Sequence, residues 1–123
     1  MKTVVVIFMV LFLAAPVLAD MTEQYRVRSA EDLVLLCSRD SSEVDYVAAQ
    51  NFCHGYTVGA YAYYHSVVAA DPDEQIVCVK PPYPERKQVI AEFVSWSKTH
   101  QSFMKDRAVD TFFRFLAEKF PCK

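Results

Sequence analysis

The hydrophobic positions divide the chain into an apolar leader, residues 1–19, and a longer part in which apolar residues have helical spacing. In that longer part they recur three and four positions apart, as on one face of an α-helix. The strict alternation that is typical of half-buried strands is missing. The helical segments are residues 30–37, 44–70, 84–100 and 103–120. The pattern therefore predicts a compact all-α domain of four helices within residues 20–123.

Local signals mark where these helices begin and end. Ser29, with Asp32 three residues later, is a favourable N-cap for the first helix. The segment 71–73 (Asp-Pro-Asp) ends the second helix, Pro84 suits the first turn of the third, and Pro121 stops the fourth. The second helix is apolar on more than one face, which predicts that it is central and buried.

The two glycines of the chain, Gly55 and Gly59, both lie in this second helix. In a helix they share one smooth strip with Ala62 nearby. Each costs about 1 kcal/mol of helix stability relative to alanine, so the strip predicts close packing of another backbone against it. Strand-favouring residues within Tyr56–Tyr64 leave a strand as the alternative. The alanines, the segment length and the missing alternation favour the helix.

The leader has the features of a secretory signal peptide. Lys2 supplies the positive end, Val4–Ala15 is an unbroken apolar run, and Val17 and Ala19 are small residues before Asp20. The alternative is an uncleaved membrane anchor, but the apolar run is shorter than the roughly 20 residues that span a bilayer. We therefore expect a soluble, exported protein that has no membrane contact after signal cleavage.

The cysteines all lie beyond the leader, at positions Cys37, Cys53, Cys78 and Cys122. An even number of cysteines in an exported chain predicts two disulfides, for which three pairings exist. The order of the helices favours Cys37–Cys53, between the first and second helices. It also favours Cys78–Cys122, because a short break between the last two helices makes them antiparallel. No Cys-x-x-Cys spacing supports a redox or zinc site.

Charge and motifs argue against several function classes. The formal net charge is −2, and it becomes −3 when Lys2 is removed with the leader. A chain with this charge does not bind nucleic acid mainly by electrostatic attraction. Two glycines are too few for a phosphate-binding loop. His54, His65 and His100 lack metal-ligand spacing, and no nucleophile elbow occurs. The sequence predicts no catalytic residue, no metal and no cofactor, so we do not expect an enzyme.

Two acidic connectors, Ser38–Asp45 and Asp71–Gln75, are the candidate partner-binding loops. Each lies within a few residues of a predicted disulfide, which would hold it in shape. The alternative for Ser38–Asp45 is a solvated loop without a partner. The alternative for Asp71–Gln75 is a segment that only ends the second helix. The tyrosines at 61, 63 and 64 are a further candidate, because tyrosine is favoured at interfaces. The candidate contact residues in the two loops are Asp40, Ser41, Glu43, Asp71 and Asp73.

Four motifs of the chain are arranged as in a known family. A leucine-rich short helix ends in Cys37, and residues 53–59 read Cys-His-Gly-Tyr-Thr-Val-Gly. Residues 78–81 read Cys-Val-Lys-Pro, and residues 120–122 read Phe-Pro-Cys. Over Leu33–Cys122 this order resembles the Rap/Tai immunity proteins of bacterial type VI secretion.

The resemblance implies a periplasmic antitoxin of a Gram-negative bacterium. Such a protein binds a peptidoglycan amidase effector and blocks its cleft, which needs no catalytic residues of its own. Members of the family are commonly dimers, so a homodimer is also implied. The alternative is a periplasmic stress or chaperone-like helical protein with no toxin partner.

The leader yields the first testable prediction. We expect the exported protein to begin at Asp20, because the Val-x-Ala step before it is a signal-peptidase site. Intact mass and N-terminal sequencing of protein from the periplasmic fraction measure this directly. Retention of Met1–Ala19, or recovery of the protein with the membranes, would contradict it.

Overall fold

The computed structural model describes residues 23–122. The predicted signal peptide, Met1–Ala19, and the predicted mature N-terminus, Asp20, lie outside this range. Within it the helices confirm the all-α prediction, and no strand forms apart from two isolated β-bridges. The elements are α1 Ala30–Cys37, α2 Tyr46–Ala70, a 3-10 turn Pro72–Glu74, α3 Arg86–Ser97, a 3-10 turn Gln101–Phe103 and α4 Ala108–Lys119.

The start of α1 is held by the predicted cap. The Ser29 hydroxyl accepts a hydrogen bond from the Asp32 backbone N–H at 3.3 Å, and an Asp32 carboxylate oxygen accepts from the Ser29 N–H at 2.9 Å. The same oxygen accepts from the Arg28 N–H at 3.0 Å. The bond from the Ser29 N–H does most to lower the pKa of Asp32. This reciprocal capping box satisfies backbone donors that a helix start leaves unpaired.

The segment Met104–Asp106 completes the capping of α1. The N–H of Ala30 donates to the Asp106 carbonyl at 2.9 Å, and the N–H of Glu31 donates to the Met104 carbonyl at 3.0 Å. These carbonyls point to α1 instead of continuing a helix. The predicted start of the last helix near Phe103 is therefore wrong, and α4 begins at Ala108.

The core lies around α1, which contacts α2, α3 and α4. Its Leu33 and Leu36 are at most 1% exposed. The ring of Phe93 on α3 lies 5.3 Å from that of Phe112 and 5.5 Å from that of Phe115, both on α4, measured between centroids. The buried residues of α1, α3 and α4 recur three and four positions apart, as the helical spacing of the sequence predicts.

Helix α2 is not the buried central helix that its apolar composition predicts. Its buried residues are Ala49, Cys53 and Thr57, all in its first half, and Tyr63 is 73% exposed. A helix of 25 residues is about 37 Å long, about three times the length of the 8-residue helix and about twice the length of the 12-residue helix beside it. Its second half therefore extends along the surface.

Both predicted disulfides are confirmed. Cys37–Cys53 joins α1 to α2 with a Cα–Cα distance of 5.2 Å, and Cys78–Cys122 has a distance of 5.0 Å. The N–H of Cys78 also donates to the Phe120 carbonyl at 2.8 Å. The second bridge thus ties the connector before α3 to the end of α4, as expected if the two helices run antiparallel.

The predicted close packing against Gly55 and Gly59 is wrong for contacts among residues 23–122. Both glycines are exposed, and a Cβ built on either would meet no atom within 4 Å. The physical reason is the position of α2, since the glycine strip faces away from the other helices.

This open strip generates a stability prediction. We expect Gly55→Ala and Gly59→Ala each to raise the free energy of unfolding by about 0.5–1 kcal/mol, because alanine favours the helix and meets no obstacle. Urea denaturation of the oxidised protein measures the change. A lower free energy of unfolding in either variant would contradict the expectation. If this loss of stability increased with protein concentration, the glycine strip would lie between two copies of the chain.

Candidate functional site

The two predicted loops lie at opposite ends of α2. Ser38–Asp45 precedes Tyr46, and Asp71–Gln75 follows Ala70. Because α2 has 25 residues, its ends are about 36 Å apart. The structure therefore brings Asp40, Ser41 and Glu43 together in one loop but keeps Asp71 and Asp73 away from them. The predicted contact residues define two separate surfaces.

The loop Ser38–Asp45 is built around the guanidinium of Arg39. Its Nη1 lies 3.1 Å from a carboxylate oxygen of Glu43, and its Nη2 lies 3.4 Å from one of Asp45. The other Glu43 oxygen accepts a hydrogen bond from the Asp40 backbone N–H at 3.1 Å. The Arg39 side chain is only 24% exposed, so these bonds close the loop on itself.

Asp40 is held by its neighbour Ser42. One carboxylate oxygen accepts from the Ser42 hydroxyl at 2.6 Å and from the Ser42 backbone N–H at 2.8 Å. These two bonds lower the pKa of Asp40, and the bond from the Ser42 hydroxyl has the larger effect. The exposed carboxylate therefore stays ionised at neutral pH. Ser41 beside it is exposed and makes no side-chain hydrogen bond within residues 23–122. Ser41 is therefore available to contact a partner.

The base of this loop is anchored covalently. The Cys37–Cys53 bond fixes the end of α1 on α2, and the Gln50 side-chain amide donates to the Cys37 carbonyl at 3.1 Å. At the far side of the loop Val44 is fully exposed. A loop fixed at its base and bonded internally loses little conformational entropy when it binds.

The second loop is shorter and more open. Its turn Pro72–Glu74 is exposed throughout, and the Asp71 carboxylate accepts from the Asp73 backbone N–H at 3.1 Å. The chain after the turn is tied to α2 by Tyr64, whose hydroxyl oxygen accepts from the backbone N–H groups of Ile76 and Val77 at 2.9 and 3.0 Å. Within residues 23–122 no cation forms an ion pair with Asp71 or Asp73.

A groove of about 800 Å³ lies between the second half of α2 and the connector 75–84, with α3 and α4 at its floor. Its walls are mostly apolar, and its polar side chains include Tyr61, His65, Gln75, Tyr83 and Arg86. Partial burial raises the pKa of Tyr61 above its ordinary value. Its ring also packs edge-on against His65 at 4.6 Å.

Sequence reasoning missed this groove. The tyrosine cluster at 61, 63 and 64 is its one signal in the sequence, and only Tyr61 of the three lines it. Its walls come from four segments that are distant along the chain. A concave surface of that kind leaves no local pattern.

Two further properties concern only the part of the chain that the structure describes. No three side chains of His, Cys, Asp or Glu converge there as metal ligands. None of its helices combines the length and the apolar character that crossing a membrane requires.

The fold and these surfaces define a small, disulfide-stabilised helical domain that displays a braced acidic loop and an apolar groove. A family model described as Rap1a immunity proteins matches residues 29–122. The chain therefore belongs to the Rap1a immunity protein family, which confirms the resemblance seen in its motifs. No curated protein matches the chain, and no solved structure matches it either.

The bonds to Asp40 generate a pH prediction. The lowered pKa means that the folded loop is stabilised by the ionised carboxylate above the unfolded-state pKa, and that this stabilisation is lost as the pH falls through the folded-state pKa. We expect Ser42→Ala to raise the Asp40 pKa towards its ordinary value, because the hydroxyl donor is removed. An NMR titration of the Asp40 carboxyl carbon measures it.

Ser41→Ala is the matched control, because Ser41 does not donate to Asp40. It should leave the Asp40 titration unchanged. An equal shift in both variants, or no shift in Ser42→Ala, would contradict the assigned cause.

Proposed function

We propose that this protein is a periplasmic immunity protein that binds and inhibits a peptidoglycan amidase delivered by type VI secretion. Membership of the Rap1a immunity family supports an immunity role against a toxic effector. The signal-peptide pattern and the two disulfides fit export to the compartment that contains peptidoglycan. The amidase is the effector class that the motif resemblance implies.

The observation that carries the mode of action is the bracing of Ser38–Asp45 by Arg39. An inhibitory loop must keep its shape when it enters an enzyme cleft, since ordering it on binding would weaken the complex. Arg39, the Asp40–Ser42 bonds and the Cys37–Cys53 bridge provide that rigidity. In our proposal the exposed tip of this loop enters the cleft of the amidase.

The geometry assigns different roles to the residues of this loop. The carboxylates of Asp40 and Glu43 are already bonded within the loop, so they maintain its shape and supply its negative charge. Ser41 and Val44 are exposed, and their side chains make no hydrogen bond or ion pair with any of residues 23–122. We assign Ser41 and Val44 to direct contact with the effector.

The loop Asp71–Gln75 is the second candidate contact surface in this proposal. The two loops are about 36 Å apart along α2, so they form separate surfaces, and in our proposal the amidase cleft receives one of them. Charge reversal at either end of α2 therefore separates the two possibilities. A homodimer, as the motif resemblance implies, would present both loops twice.

The test uses the oxidised exported protein and the amidase encoded beside it. We expect Ser41→Arg to weaken inhibition at least tenfold, about 1.4 kcal/mol, because it places a bulky cation at the tip without removing any bond of the loop. Asp40→Lys with Glu43→Lys should weaken it further and should also lower the melting temperature, because it removes the carboxylates that bond to Arg39 and Ser42 as well as the negative charge of the loop. Calorimetric titration and amidase assays measure both effects.

The matched control is Asp71→Lys with Asp73→Lys at the opposite end of α2, which makes the same change of charge. It should leave inhibition unchanged. If instead this control abolishes inhibition and Ser41→Arg does not, the contact lies at the second loop. Failure of the wild-type protein to bind the amidase at micromolar concentration would reject the immunity proposal and favour the chaperone-like alternative.

A further inference from the structure

The groove beside α2 differs in charge from the rest of the chain. The whole sequence has a formal charge of −2, yet none of the Asp or Glu side chains in residues 23–122 lines the groove. Its lining includes the cationic side chain of Arg86, at the start of α3, and the imidazole of His65, on α2. A cavity with apolar walls and a cation at its edge complements a ligand that is apolar with an anionic end.

The walls determine what kind of ligand fits. Val58 and Ala62 from α2 face Val89 from α3 and Phe120 after α4, and together they form an apolar trough. Its volume of about 800 Å³ lies within the roughly 300–1,000 Å³ that is typical of small-molecule sites. A flexible hydrocarbon chain would bury its surface there.

The backbone of the connector disfavours a peptide as the ligand. An extended peptide binds along a chain segment by pairing with its backbone donors. Here the N–H groups of Ile76 and Val77 already donate to the Tyr64 hydroxyl, and that of Cys78 donates to the Phe120 carbonyl. The backbone donors in the first part of this wall, at residues 76–78, are therefore already in use.

We propose that the groove binds a small amphiphile, a fatty acid with a free carboxylate. Its hydrocarbon chain lies in the trough between α2 and α3, and its carboxylate pairs with the guanidinium of Arg86. The acidic turn Pro72–Glu74 ends next to Gln75, so it repels the carboxylate from that side and directs it to Arg86. This site is separate from the loop Ser38–Asp45 and does not depend on the proposed inhibition.

The experiment titrates decanoate and decyltrimethylammonium, both below their micelle concentrations, into the oxidised exported protein and follows amide shifts by NMR. Decanoate should bind at least tenfold more tightly than the cation, with shifts in Val58–His65 and at Arg86. Arg86→Glu should remove or reverse this preference, because it inverts the charge at the edge. Lys87→Glu is the matched control, since Lys87 does not line the groove, and it should keep the preference.

A second pair of variants tests the location without changing charge. Ala62→Trp fills the trough from an exposed position of α2 and should abolish decanoate binding. Ala48→Trp, also exposed on α2 but outside the groove, should leave binding intact. Absence of decanoate binding to the wild type, equal binding of both amphiphiles, or binding that survives Ala62→Trp would each overturn the proposal.

Discussion

The rest of the structure depends on the packing of the eight-residue helix α1 against the other helices of the core. A helix of this length is not stable alone in water, so its packing and its end contacts must hold it. Its N-terminus is capped by Ser29 and by the carbonyls of Met104 and Asp106, and its C-terminus is bonded to α2 through Cys37. Since α1 contacts α2, α3 and α4, its loss would leave these three helices without a shared core.

Helix α2 can carry surface features because its fully buried residues all lie in its first half, whereas Tyr61 and Tyr64 of its second half are only partly buried against the core. The Cys37–Cys53 bridge holds the first half against α1, and the rest of the helix projects along the surface. The projection creates one wall of the groove, and Tyr64 secures the connector that forms the opposite wall. The same arrangement separates the two acidic loops by the full length of the helix.

The candidate surfaces suit recognition by shape and charge. The loop Ser38–Asp45 obtains its rigidity from bonds between its own charged side chains, with Arg39 at their centre. The groove combines apolar walls with the cation Arg86. Both features favour binding, but in different ways. The rigid loop lowers the entropy cost of forming a complex, and the groove increases the apolar surface that a ligand buries. A small domain of the immunity family thus presents two chemically distinct surfaces.

The sequence by itself determined the helical class, the cap of α1 and the disulfide pairing. Caps and helical periodicity are local, and the order of the helices was enough to pair Cys37 with Cys53 and Cys78 with Cys122. It also located both acidic loops, although the internal use of the Asp40 and Glu43 carboxylates became visible only in three dimensions.

The tertiary structure alone decided which helix is central. Composition favoured α2, but packing placed α1 there and left Gly55 and Gly59 facing open space. It also decided that the last helix begins at Ala108 and not near Phe103, because the carbonyls of Met104 and Asp106 bond to α1. The groove likewise depends on segments distant in the chain. Such features follow from competition among long-range contacts, which no local pattern of residues records.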